Sequence, residues 1–161
     1  MNAYELEPWH DFFVAAAGAS AALAGLIFVA VSINIERIIQ LEGLANRALQ
    51  ALVQLIVVVI VSVLALAPQA TSTLGIELVV IGLFAVVFSH RLIGSPTDPR
   101  GLASLQSRRV LMALGTVPFV VAGLSLIAES GGGLYWLMAG IVLATIGSVV
   151  NAWVLLVEIL R

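Results

Sequence analysis

The chain has 161 residues, of which 61% are hydrophobic and 10% charged, whereas a soluble domain carries about 25% charged and 45–50% apolar residues. This excludes an ordinary water-soluble fold. The seven basic residues are all Arg, the formal net charge is −2, and there is no Cys. A nucleic-acid surface is therefore excluded for want of a basic tract, and disulfides, thiolate metal sites and cysteine nucleophiles are excluded together. At this length residues 1–161 form one domain, expected to be an all-α polytopic membrane unit with the lipid bilayer as its outer solvent.

Met1 to Asp11 contains Glu5, Glu7 and Asp11 and no basic residue. A secretory signal needs a basic start, so the first apolar segment is expected to remain in the mature protein. Spanning a hydrocarbon core of roughly 30 Å takes about 20 residues of helix. The uncharged runs Phe12–Ile35, Ala48–Ile76, Val110–Ala128 and Ser130–Val157 hold 24, 29, 19 and 28 residues. Four spans follow from these runs.

A further span, Leu74–Ile93, follows the polar hairpin Pro68 to Thr73, with Glu77 near its start and His90 and Arg91 near its end. The predicted spans are about 12–35, 48–67, 74–93, 109–128 and 134–157. Glu36–Arg47 is expected to extend its flanking helices. Asp98 and Pro99 make a helix start, leading into an amphipathic stretch with Leu102, Leu105, Arg108 and Arg109. Pro118 removes a backbone hydrogen bond and predicts a bend in the fourth span.

Cytoplasmic loops carry an excess of Arg and Lys. With five spans and the amino terminus outside, Arg37, Arg47, Arg91, Arg100, Arg108, Arg109 and Arg161 all fall inside, while Glu5, Glu7, Asp11, Glu77 and Glu129 fall outside. Removing the third span destroys that separation. The expected topology is a five-transmembrane-helix bundle, amino terminus out and carboxyl terminus in. Trp9, Tyr135, Trp136 and Trp153 are placed as interfacial aromatics.

Small side chains let helix backbones approach closely in lipid. The first span presents Ala17, Gly18, Ala21, Ala22 and Gly25, and the last presents Gly140, Ala144 and Gly147, so both are expected to be helix-packing faces. The partner of the first is either another helix of this chain or a second copy. Ser32, Asn34, Gln50, Gln54, Ser89, His90, Ser148 and Asn151 gather in the inner half, and Glu158 continues the row of Asn151 along the last span. They form either a hydrogen-bonded network fixing helix register or a wet vestibule, since polar atoms facing hydrocarbon are costly unless paired. Thr145 and Ser148 are expected to bond back to their own helix.

Glu77 is a candidate outer acidic site, because an intramembrane carboxylate is a functional candidate by default. Stabilisation by the helix dipole in a first turn is the plainer account. Metal, cofactor and catalytic residues are not assigned: the sequence lacks H-E-x-x-H, G-x-S-x-G and a phosphate-binding Gly-Lys-Ser/Thr loop, which argues against an enzyme.

The stretch Trp9-His10-Asp11-Phe12-Phe13 and the run from Gly18 to Asn34, Gly-Ala-Ser-Ala-Ala-Leu-Ala-Gly-Leu-Ile-Phe-Val-Ala-Val-Ser-Ile-Asn, resemble the opening of a family of small bacterial multipass membrane proteins. The resemblance covers the first quarter of the chain. It implies a bacterial inner (cytoplasmic) membrane and carries over no functional residues. Two functions stay open: a self-associating homo-oligomer with a polar inner vestibule, as in a small channel, or a non-conducting interaction or regulatory subunit docked on another membrane protein.

Overall fold

The structure, a computed structural model, describes residues 3–40, 43–92 and 101–160, and every regular element among them is helical. A 3-10 turn at Glu7–Trp9 leads into α1 (His10–Ile33), followed by α2 (Ile35–Gln40), α3 (Leu44–Leu66), α4 (Thr71–Leu92), α5 (Gly101–Ile127) and α6 (Gly133–Leu160). Four stretches are long and apolar enough to cross a membrane: Glu7–Ile33, Leu44–Leu66, Thr71–Phe88 and Gly133–Val157. In α5 the apolar stretch among the described residues is the shorter Met112–Ile127.

The boundaries depart from the expected spans for local reasons. The first helix stops at Ile33, because Asn34 leaves helical geometry at φ −107°, ψ 16°. Its side chain donates back to the Ala30 carbonyl at 2.9 Å, while its carbonyl accepts from the Arg37 and Ile38 amides. The connection expected to prolong α1 is therefore a separate short helix, α2, which buries Ile38 against Leu44, Ala48 and Leu155. Before α3, Gly43 takes φ +83°, a left-handed conformation that glycine adopts without steric cost. Helix α5 runs unbroken from Gly101 through Pro118, so the amphipathic lead-in and the span are one element. The helix start at Asp98 and Pro99, and the side chains of Leu102, Leu105, Arg108 and Arg109, lie outside the described residues.

Helix α3 packs against α4 and α6, and α5 packs against the same two, closing a ring of four helices with α1 outside it on α3. Each ring helix supplies one stripe at spacings of three and four, the period of a helical face. The stripes include Val58, Val61 and Ala65 from α3, Leu74 and Leu78 from α4, Phe119, Ala122 and Leu126 from α5, and Leu134, Leu137 and Ile141 from α6.

Glycines set the closest approaches. A Cβ on Gly123 would stand 2.5 Å from the Gly75 carbonyl oxygen and 2.9 Å from the Val79 amide, and one on Gly82 would stand 3.1 Å from the Val120 amide. Helices α4 and α5 therefore touch backbone to backbone. Van der Waals contact of this kind drives helix association in lipid, where burial of apolar surface drives nothing.

One end of the ring is closed by the amino-terminal segment. The Leu134 amide donates to the Ala3 carbonyl at 2.9 Å, the Gly132 amide donates to the Tyr4 hydroxyl at 3.0 Å, and the Thr71 hydroxyl donates to the Tyr4 carbonyl at 3.4 Å. Trp9 is buried, with its ring 5.0 Å from that of Tyr135 in an edge-to-face arrangement. It is thus a core residue rather than the interfacial anchor expected, whereas Tyr135, Trp136 and Trp153 are exposed. These bonds bring Glu5, Glu7 and Glu129 to the end where α1 and α4 start. Arg37 and Arg47 lie at the opposite end, around the α2–α3 junction.

Candidate functional site

The ring encloses the polar side chains of α3 and α6. Gln50, Gln54 and Ser62 lie on one face of α3 at multiples of four residues, and all three are buried, as are Ser148 and Asn151 of α6 and Thr116 of α5. The Gln50 side-chain amide reaches across the ring and donates to the Met112 sulfur at 3.1 Å. Ser148 donates to the Ala144 carbonyl of its own helix at 2.9 Å and stands 3.4 Å from the Gln54 oxygen. Thr116 and Thr145 also donate to carbonyls four residues back, Met112 and Ile141, each at 2.8 Å. Such back-bonding satisfies a hydroxyl within its own helix.

Two glycines shape the space around Gln54. A Cβ on Gly115 would overlap its side-chain amide, and one on Gly147 would lie 3.3 Å from the same nitrogen. Gly140 receives the Phe119 ring in the same way, with a built Cβ only 2.9 Å from the ring edge. Gly140, Ala144 and Gly147 therefore pack inside the ring. Their function is to admit Phe119, the Gln54 amide and the backbone of α5.

The expected polar cluster divides. Gln50, Gln54, Ser148 and Asn151 face the interior, but Ser32 is exposed and donates to the Phe28 carbonyl at 2.8 Å. Asn34 forms the α1–α2 junction described above. Ser32 belongs to α1, which stands outside the ring, and Asn34 caps its end, so similar depth was not enough to bring them to the site. Ser89, His90 and Glu158 have side chains outside the described residues.

Met112, Gly115 and Thr116 were missed by sequence reasoning. Their signal was the spacing of three and four that puts Met112, Gly115, Thr116 and Phe119 on one face of α5, with Gly115 and Thr116 the small and polar members.

The small-residue face of α1 is left largely uncovered by the described residues. Nothing lies within 4 Å of a Cβ built on Gly18 or Gly25, Ala21 and Ala22 are exposed, and Ala17 is half-buried. The inner face of α1 is instead Phe13, Ser20 and Ile27, and only 6% of its spanning window is buried.

Glu77 accepts a hydrogen bond from the Gln69 side-chain amide at 2.9 Å, and Gln69 also donates to the Leu64 carbonyl at 2.8 Å. Because α4 starts at Thr71, Glu77 sits in its second turn, so the first-turn dipole account does not apply. Its place is explained by the α3–α4 hairpin, where Gln69 ties the end of one helix to the start of the next. Gln69→Leu is expected to lower the unfolding free energy by about 1–2 kcal/mol, measured by denaturant titration in lipid micelles, while Glu77→Gln, which keeps an acceptor, leaves it nearly unchanged.

Among the described residues no group of three or more His, Cys, Asp or Glu is placed to hold a metal. Comparisons of the chain with models of known families, with curated proteins and with solved structures give no match.

Proposed function

We propose that the chain is a five-span membrane protein of a bacterial inner membrane, amino terminus outside, that works as a non-conducting, self-associating subunit through the outer face of α1. The observation that carries this reading is the composition of that face. From Ala15 to Gly25 every exposed residue of α1 is Gly or Ala. The exposed residues of α4 include Ile76, Val80, Leu83, Phe84 and Val87, and those of α6 include Val142, Ile146, Val149 and Val150. Large side chains suit a lipid-facing helix, whereas a smooth Gly and Ala surface suits the backbone of another helix. The face is self-complementary, so a second copy is its simplest partner.

Helix α5 supports the fifth span. Its 27 residues extend about 40 Å at 1.5 Å per residue, and it lies between α4 and α6, both of spanning length. Orientation is supported by the described charges, with Glu5, Glu7 and Glu129 at one end and Arg37 and Arg47 at the other.

The alternative, permeation through the protomer, draws on the buried amides of Gln50 and Gln54. Against it, the cavity they line measures about 10 Å³, room for about one water.

The chain has no native Cys, so single cysteines report contacts directly. Oxidation of membranes carrying Gly18→Cys or Ala22→Cys is expected to give a disulfide-linked dimer, and Leu83→Cys on α4 to give none. Gly18→Leu combined with Ala22→Leu is expected to weaken association by about tenfold or more, equivalent to about 1.4 kcal/mol, as read by dilution in lipid. A monomer at all lipid ratios, or solute flux through reconstituted protein that Gln54→Leu alters, would overturn the proposal.

A further inference from the structure

We infer that the helical ring binds one ordered water molecule between Gln54 of α3 and Thr116 of α5. The Gln54 side-chain nitrogen is fully enclosed and has no hydrogen-bond partner, with the whole residue only 7% exposed. A buried amide donor without an acceptor is rare in folded proteins. The Gln54 side chain lines a cavity of about 10 Å³ together with Gln50, Met112, Gly115 and Thr116, close to the minimum that holds one water.

The surrounding groups offer that water partners. The Thr116 hydroxyl uses its proton on the Met112 carbonyl at 2.8 Å, which leaves its oxygen lone pairs to accept. A water can therefore accept from the Gln54 nitrogen and donate to the Thr116 oxygen. Reversing the Gln54 amide puts its oxygen in that position instead, and a water then donates to it. Water fits both arrangements because it is donor and acceptor at once.

An ion does not fit as well, because among the described residues no charged side chain lines the cavity and an uncompensated ion in such surroundings is strongly unfavourable. Gly115 has a defined part in this site: any side chain there would occupy the place of the Gln54 amide. The water links helices on opposite sides of the ring, parallel to the direct bond between Gln50 and Met112.

The test is magnetisation transfer from water to the residue-assigned Gln54 side-chain NH₂ in the full chain, labelled with ¹⁵N and reconstituted in lipid nanodiscs. The expected result is a cross peak from a long-lived water in the wild type, lost in Thr116→Val and retained in Ser62→Ala. Absence of transfer in the wild type would overturn the inference without reference to any variant. So would an undiminished cross peak in Thr116→Val, or a Gln54 resonance that shifts when Na⁺ is exchanged for Rb⁺, which would identify a cation.

Discussion

Leucine at Gly123 is expected to be among the most damaging single substitutions in the bundle. The position faces the backbone of α4, with the Gly75 carbonyl oxygen 2.5 Å and the Val79 amide 2.9 Å from where a Cβ would stand. Neither atom can move aside alone, because each is fixed in a helix, so the side chain must push α4 and α5 apart along their length. Overpacking in a core costs about 1–3 kcal/mol for added methylenes, and a whole leucine against backbone belongs at or above the upper end. A denaturant titration in lipid micelles should show a loss of about 3 kcal/mol. Gly25→Leu supplies the contrast. Nothing lies within 4 Å of its Cβ, so the same change there is expected to stay within about 0.5 kcal/mol of wild type for the monomer. Equal losses at the two sites would mean that α4 and α5 do not meet as described.

The second large effect is expected at Phe119. Its ring is fully buried and occupies the hollow left by Gly140 on α6, while its Cβ lies 3.4 Å from a Cβ built on Gly82 of α4. One side chain therefore fills space between three helices. Phe119→Ala is expected to cost about 3–5 kcal/mol, combining lost contacts with the cavity left behind. Because that cavity would be lined by apolar groups, it should stay dry and take up xenon, detectable as a shifted ¹²⁹Xe resonance absent from the wild type. A loss below about 1 kcal/mol would indicate that α5 does not close the ring.

Helical class and long apolar segments were legible because both follow from composition and run length, which need no knowledge of neighbours. Helix ends were less so. Asn34 lies inside an uncharged run, and nothing in the count of apolar residues announces that its amide will turn back on Ala30. The two small-residue faces show the same limit more sharply. Both Ala17-Ala21-Gly25 and Gly140-Ala144-Gly147 announce close helix contact, but sequence spacing does not say with which helix. The structure turns the second inward and leaves the first without a partner among the described residues. The close backbone contact of Gly75 with Gly123 was passed over because the spacing of small residues along one helix does not say which helix they meet. Its significance appears only when two elements are aligned. In the same way, depth alone grouped Ser32 and Asn34 with Gln54, and helix order separated them.

The bonds of the amino-terminal segment bear on the sequence of events during biogenesis. Tyr4 finds its amide partner 128 residues later in the chain, at Gly132, and Ala3 waits for Leu134. Until the final helix has been synthesised, those first residues have only the Thr71 hydroxyl to hold. The clasp is consequently among the last contacts to form, and a polypeptide truncated before residue 132 would be left with this end ajar.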